Sequence, residues 1–470
     1  MFDLRQHQSE ALDAITNMFN DDSVQSGRIV IPTGGGKTLV ESYALRDRIN
    51  LDARDVHLVL APRIALVNQL IKEYRNFIGQ NYRAVAFHSG RFEPEAEDYK
   101  KVRWAETSTT SIDIVQDELK KAVNNGKDLV IFSTYASAHK LVDMQFDTLI
   151  ADESQYCVSE DYFDTVRDIN ASKKLFFTAT ERHTISARGR GLNNEEVFGS
   201  VLFQVAPKTL IDKGYIVAPR LHVMTAQAKS QSYTVIDEVI NIATKQAELT
   251  VDMPVTKILF AMKGTDDVKT ITENIDKIKA AMPGFDIFTI VSNSKFGAMI
   301  NGEKTARGNF MKGLRDSDRA LVFHYDILSE GMDIDGITGV AILRNMKHSK
   351  LLQTIGRAVR IYKANPELKQ QAWVSVVGIN NDEESIDNVG RTLVAIREGG
   401  FDVNVENIVV TDSVGYGIAD DEMDIDALTG PDRKNKTLDA LDAVFHNIEQ
   451  AEMFAEVDAM SDDEGIEELF

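Results

Sequence analysis

Only one cysteine, Cys157, stands in the 470 residues. That excludes a disulfide framework and any zinc site made from several cysteines, and the thiol, just after an acidic pair, reads as packing rather than chemistry. Long apolar runs are also missing. None approaches the ~20 residues needed to cross a bilayer, and Met1 to Glu10 has no signal-peptide pattern, so the expectation is a soluble protein of a reducing compartment such as the cytoplasm. Basic charge is scarce as well: 52 Lys and Arg face 73 Asp and Glu, a net charge of −21. A chain-wide field attracting a polyanion is therefore excluded. The deficit is concentrated, however. Residues 411–470 hold 18 acidic against three basic residues and carry −15, leaving only −6 on the first 410. A groove for nucleic acid would have to be a local basic or backbone-amide patch. What the chain does have is size and apolar content. At 470 residues and 43% hydrophobic, it is long enough for two or three domains with full cores.

The most informative stretch is Ile31-Pro32-Thr33-Gly34-Gly35-Gly36-Lys37-Thr38. It follows a short apolar strand at Arg28 to Ile31 and opens onto a helical pattern. In a strand–glycine loop–helix turn, backbone N–H groups point inward and the helix N-terminus adds a positive dipole, which together hold phosphate. Lys37 would reach the β- and γ-phosphates, and the Thr38 hydroxyl would ligate Mg²⁺. The usual first glycine of the pattern is Ile31 here. Read alone, the run could be a glycine-rich turn with no ligand.

A second signal weakens that plain alternative. Phe146 to Ala151 reads as a buried strand ending in Asp152-Glu153-Ser154-Gln155. Two acids at the carboxyl end of a strand are poor packing groups, because a buried carboxylate is costly unless it is paired or on a metal. They are well placed beside the glycine loop, where open α/β sheets bind ligands. Asp152 would hold Mg²⁺ through water and Glu153 would orient and polarise the attacking water.

With these residues in view, the chain resembles superfamily 2 DEAD/DEAH-like helicases and translocases, in the branch related to the motor subunits of type III restriction enzymes. An ordered set of motifs between residues 4 and 360 carries the resemblance. Leu4-Arg5-Gln6-His7-Gln8 resembles the adenine-reading motif, with Gln8 as reader and Arg5 beside it. The glycine loop corresponds to motif I, Ala61-Pro62-Arg63 to Gln69 to motif Ia, and Thr134-Tyr135-Ala136-Ser137 to the element before motif II. Asp152 to Gln155 is motif II, with Gln155 where DEAH-type members have histidine. Thr178-Ala179-Thr180 resembles motif III, Ile258 to Gly264 motif IV, Ser329-Glu330-Gly331-Met332-Asp333 motif V, and Gln353-Thr354-Ile355-Gly356-Arg357-Ala358-Val359-Arg360 motif VI.

The resemblance implies an α/β architecture of two tandem RecA-like parallel-sheet domains with ATP at their interface, followed by an acidic helical or disordered tail. Strands alternating with helical patterns agree with it. The expected domains are 1–205, binding ATP; 206–410, the second helicase domain; and 411–470, the tail. It also implies an ATP hydrolase using ATP and Mg²⁺, with Gly331 and Asp333 touching the nucleotide from the second domain. Gln353, Arg357 and Arg360 would join Lys37 and Glu153 in catalysis. The two arginines, three apart on an expected helix, share one face and would serve as fingers on the transition state. Thr178 and Thr180 would couple hydrolysis to the strand. Arg63, Thr134, Lys263 and Asn293 sit after strands, where relatives touch the sugar-phosphate backbone; such contacts position without reading sequence.

The substrate expected from the branch is DNA rather than RNA, in replication, recombination or repair. A small branch-remodelling helicase of the phage recombination kind is one form, and the motor part of a restriction or remodelling complex is another. No PD-x-E-x-K-like nuclease signature is present. In the tail, Leu438, Leu441, Phe445, Ile448 and Ala451 follow a helical spacing, and the chain ends Ile466-Glu467-Glu468-Leu469-Phe470. This end reads either as a solvated tail or as a docking peptide with Leu469 and Phe470 as apolar anchors.

Overall fold

The computed structural model describes residues 3–49, 54–90, 105, 107–184, 188–226, 234–291, 296–325, 334, 336–346, 348–362, 372–379, 383–401 and 408–412. Gly331, Asp333, Asn293 and the tail with Leu469 and Phe470 lie outside the described residues. The chain divides into two compact units, one up to Ala206 and one from Pro207.

The first unit contains β1 (Ser26–Val30), β2 (Val56–Ala61), β3 (Tyr82–Phe87), β4 (Thr107–Thr109), β5 (Asp128–Thr134), β6 (Gln145–Ala151), β7 (Asn170–Thr178) and β8 (Ser200–Gln204). They form one sheet in the order β4-β3-β5-β2-β6-β7-β1-β8, with every pairing parallel. β2 and β5 are buried along their whole length, with no alternation. Helices therefore cover both faces, as parallel sheets require. Leu58, Leu60, Phe87, Ile131, Phe146 and Phe176 belong to one continuous apolar cluster, and each such side chain contributes roughly 1.5–3 kcal/mol by burial.

Lys173 on β7 fixes how the chain enters β1. Its buried ammonium donates to the carbonyls of Met18, Asp21 and Val24 at 3.0, 2.7 and 2.7 Å. These groups lie at the end of the helix Gln6–Asn20 and in the turn after it, where a cation meets both orphan carbonyls and the negative dipole end.

The second unit repeats the theme with β9 (Pro219–Ala226), β10 (Thr256–Ala261), β11 (Asp286–Val291), β12 (Ala298–Ile300), β13 (Glu303–Thr305), β14 (Arg319–Tyr325), β15 (Ile337–Ile342), β16 (Ala372–Ile379) and β17 (Ile408–Asp412). Their order is β13-β12-β11-β14-β10-β15-β16-β9-β17. Two details depart from the sequence reading. The edge strands β12 and β13 pair antiparallel, so this sheet is mixed; the chain reverses at Asn301-Gly302, both at positive φ. β17 pairs with β9 as far as Asp412, two residues beyond the expected end of the domain at 410.

Candidate nucleotide site

Three strands adjacent in space deliver three motifs. β6 ends at the Asp152-Glu153 pair, β7 ends at Thr178, and β1 leads into the glycine loop. Neighbouring strands lie about 4.8 Å apart, so the loop after β1 and the acids after β6 face each other across the end of β7. Ile31 stands where the first glycine was expected. Its side chain is fully buried and its N–H donates to the Thr178 carbonyl at 3.0 Å, so the position continues the ladder and has no need of glycine.

Gly34 and Gly36 carry the turn at φ +86° and +87°, a region open to glycine at no steric cost. Gly36 caps the helix Lys37–Arg48, and a Cβ there would lie 2.3 Å from the Gln8 amide nitrogen. Gln8 itself is buried. It donates to the Gly35 carbonyl at 3.2 Å and accepts the Arg5 N–H at 2.9 Å. His7 also meets the Gly35 carbonyl, through Nε2 at 2.7 Å. Sequence reading singled out Gln8 and Arg5 but not His7, whose neighbouring position in the motif was the available signal. Thr33, Gly34, Lys37 and Thr38 are half-buried, and Gly35 is buried.

From Lys37 a chain of hydrogen bonds runs through motifs II and III. The Lys37 ammonium donates to Glu153 Oε1 at 3.1 Å. The Gln155 amide donates to Glu153 Oε2 at 2.8 Å, and Thr178 Oγ1 lies 2.8 Å from Gln155 Oε1. Thr178 Oγ1 also lies 2.5 Å from the Thr180 carbonyl and accepts the Thr180 N–H at 3.1 Å. With one proton, it donates to one of its two oxygen acceptors at a time. An amide supplies donor and acceptor together, as a neutral imidazole does, so Gln155 can bridge where DEAH-type members carry histidine. Glu153 adopts φ 51°, ψ 51°, a left-handed backbone unusual for a non-glycine residue.

Charge in the site is tightly balanced. Burial works against the Lys37 ammonium, but Glu153, Asp152 and Glu41 outweigh it and hold its pKa above the ordinary lysine value. Burial and the Glu153 charge raise Asp152 to about 6, against the pull of Lys37. Glu41, one turn beyond Lys37, was not anticipated. It is fully buried, and burial together with Asp152 pushes its pKa well up, favouring its neutral form. No group of three or more His, Cys, Asp or Glu side chains able to hold a metal is found among the described residues. The hard oxygen donors Thr38 and Asp152 fit Mg²⁺ only if phosphates and waters complete the shell, as that ion generally prefers.

The remaining candidates divide by unit. Arg63, exposed before the helix Ile64–Ile78, and Thr134, at the end of β5, come together because Ala61 and Thr134 are register partners. Thr134 donates to Ser137 Oγ at 3.1 Å. In the second unit Lys263 is exposed just after β10. Gln353 and buried Arg357 lie on the helix His348–Ala358. Arg360 does not share that helix, which corrects the expectation of one helical face for the pair. Pairing pulls the chain out: the Val217 N–H donates to the Val359 carbonyl at 2.8 Å, and Arg360 bridges Ile216.

This geometry agrees with a family match. Residues 1–183 match the family model described as "Type III restriction enzyme, res subunit". The match covers less than half of the chain, and no curated protein matches it. Among solved structures, the chain is similar to the "ATP-dependent Type ISP restriction-modification enzyme LlaBIII bound to DNA", with 15% identity and TM-score 0.66 over 88% of this chain and 31% of that one. A nuclease-deletion mutant of the Type ISP enzyme LlaGI, in complex with a DNA substrate mimic, gives 16% identity and TM-score 0.61 over 87% and 30%. S. cerevisiae Dbp5 bound to RNA and ADP BeF3 gives 15% identity and TM-score 0.51 over 87% and 89%. The chain thus spans about a third of the restriction enzymes it matches. The shared fold is the tandem RecA-like one, continuing past the residues that match the family model into the second unit. Among the described residues, no helix is long and apolar enough to cross a membrane.

Proposed function

We propose that the chain is an ATP-driven motor that moves along or remodels nucleic acid, DNA in preference to RNA. The observation that carries this reading is the continuous relay Lys37–Glu153–Gln155–Thr178, which ties a phosphate-binding loop to an acid pair and to the strand end after it. Loop N–H groups and Lys37 would hold the β- and γ-phosphates. Bound Mg²⁺, held through Thr38 and Asp152, would neutralise phosphate charge. Glu153 would orient the attacking water. Arg357, Arg360 and Gln353 of motif VI are assigned the positive charge and alignment that the transition state needs, and Gly331 and Asp333 further nucleotide contacts. Arg63, Thr134, Lys263 and Asn293 would meet the nucleic-acid backbone.

The preference for DNA is supported by the two restriction enzymes, both in complex with DNA or its mimic, while Dbp5, with its bound RNA, keeps an RNA helicase as the competing reading. The same restriction enzymes favour a second form of the proposal, the motor part of a larger restriction or remodelling assembly. The acidic tail, with Leu469 and Phe470, is a candidate docking segment.

The test is steady-state ATP hydrolysis at low salt with no polymer, single-stranded DNA, duplex DNA, branched DNA and RNA, each against Glu153→Gln. Strong stimulation by DNA alone supports the proposal, and stimulation by RNA alone reverses the preference. Stimulation by none, with ATP bound, favours the assembly reading.

A further inference from the structure

The Asp152-Glu153 peptide is held at both ends. Its N–H donates to Asp152 Oδ1 at 2.8 Å. Its carbonyl, that of Asp152, accepts the Tyr135 hydroxyl at 2.7 Å. This peptide sets the φ of Glu153, which lies at 51°. A glutamate in the left-handed region is strained by roughly 1–3 kcal/mol and persists only where its surroundings hold it. Rotating the peptide would relieve the strain but also swing the carboxylate away from Lys37 and Gln155. Tyr135, fully buried, is therefore one of two clamps on the backbone that aims Glu153.

Tyr135 also reaches toward the surface. Its ring stacks on Tyr162, with centroids 5.8 Å apart and planes 25° from parallel. Tyr162 is half-buried on the helix Glu160–Asp168, where burial and the Asp161 charge raise its phenol pKa against the pull of the Arg63 guanidinium. Tyr135 directly follows Thr134. The stack thus begins beside the two residues of this unit assigned to the nucleic-acid backbone and ends at the peptide that positions Glu153.

We propose that Tyr135 is a positioning residue for Glu153, and that Tyr162 is a stacking contact for a nucleic-acid strand bound beside Arg63, so that strand occupancy acts on the ATP site through the stacked pair. The strand contact rests on the motor reading above. Aromatic rings are general partners for single strands because every base has a π-face.

The experiment uses the full chain, ATP with Mg²⁺, and a polythymidine single strand. Tyr135→Phe keeps the ring and its stacking and removes only the hydroxyl. Its kcat should fall about tenfold, with half-saturating ATP within about twofold of wild type; a mere packing role predicts no such split. Tyr162→Ala should raise the half-saturating strand concentration about tenfold, in the range of one lost base stack, and Tyr162→Trp should restore it. Wild-type kcat in Tyr135→Phe overturns the positioning role. Unchanged half-saturation in Tyr162→Ala overturns the strand contact. If wild type neither binds the strand nor is stimulated by it, the motor reading falls and the Tyr162 contact with it, while Tyr135 is still judged on basal turnover.

Discussion

Glu153→Gln should stop turnover while leaving the fold nearly intact, and the hydrogen bonds around it show why. The two carboxylate oxygens accept from Lys37 at 3.1 Å and from Gln155 at 2.8 Å. A glutamine at 153 offers one oxygen and one amide nitrogen. If the oxygen stays on Lys37, the new nitrogen faces the Gln155 nitrogen, donor against donor. Gln155 can resolve this by turning its amide over. Its oxygen then accepts from residue 153 and its nitrogen donates to Thr178 Oγ1, whose own proton is then directed at the Thr180 carbonyl. Every bond of the relay survives: Lys37 still donates to residue 153, and the two bonds made by Gln155 reverse their polarity. The loss is one charge-assisted contact to Lys37, which keeps Asp152 nearby, so the expected destabilisation is about 1–2 kcal/mol. Turnover should fall by about 10²–10⁴, the usual value of a positioned base. The assay pairs ATP hydrolysis with thermal unfolding and binding of a fluorescent ATP analogue. Turnover within tenfold of wild type would refute the role of Glu153, and loss of folding would refute the reversible relay. Glu153→Ala, which leaves Lys37 and Gln155 facing a gap, should lose more stability than Glu153→Gln.

Gly36→Ala places a side chain at φ +87° and against the Gln8 amide; with a left-handed penalty of about 1–2 kcal/mol, it should weaken binding of the ATP analogue about tenfold, and unchanged affinity would refute the tight fit of loop against helix. Lys173→Met removes the donor to three carbonyls and should lower the stability of the first unit by about 2–4 kcal/mol, read as an earlier urea transition in that unit. Burial, then the Lys245 charge, lowers His222 to about 4. The native chain therefore resists a proton that the unfolded chain takes up near pH 6.5, and stability falls as pH drops from 6.5 toward 4. Wild type should lose about 2 kcal/mol more than His222→Asn between pH 7 and 5, and parallel pH profiles of denaturant unfolding would refute this.

How far the molecule could be read in advance depended on whether a feature is local. Lys37, Thr38 and the glycines are neighbours in sequence, and the strand ending in Asp152 announces itself by acids after an apolar run, so the nucleotide site was legible. The strand read over Phe146–Ala151 was legible to within one residue, as Gln145–Ala151, because buried parallel strands are continuous apolar runs. Contacts created by register were not. Arg360 leaves its helix because residues 359–360 meet residues 216–217, a pairing across more than a hundred residues that helical spacing cannot encode. His7, Glu41 and Tyr135 matter through partners on other elements, among them Gly35, Asp152 and the Asp152 carbonyl. The hairpin β12–β13 is only three residues a side, too short for a periodic signal.

The place of β1 in its sheet has a consequence for synthesis. Its partners are β7 and β8, so the strand carrying the glycine loop has no neighbour until residues beyond about 170 exist, some 140 residues later. At about 5–20 residues per second, an emerging chain would carry an unpaired apolar strand and an unformed phosphate loop for roughly 7–28 s. A nascent chain stalled before β7 should be unable to retain ATP, and nucleotide capture on the ribosome would mark the moment at which the first unit closes.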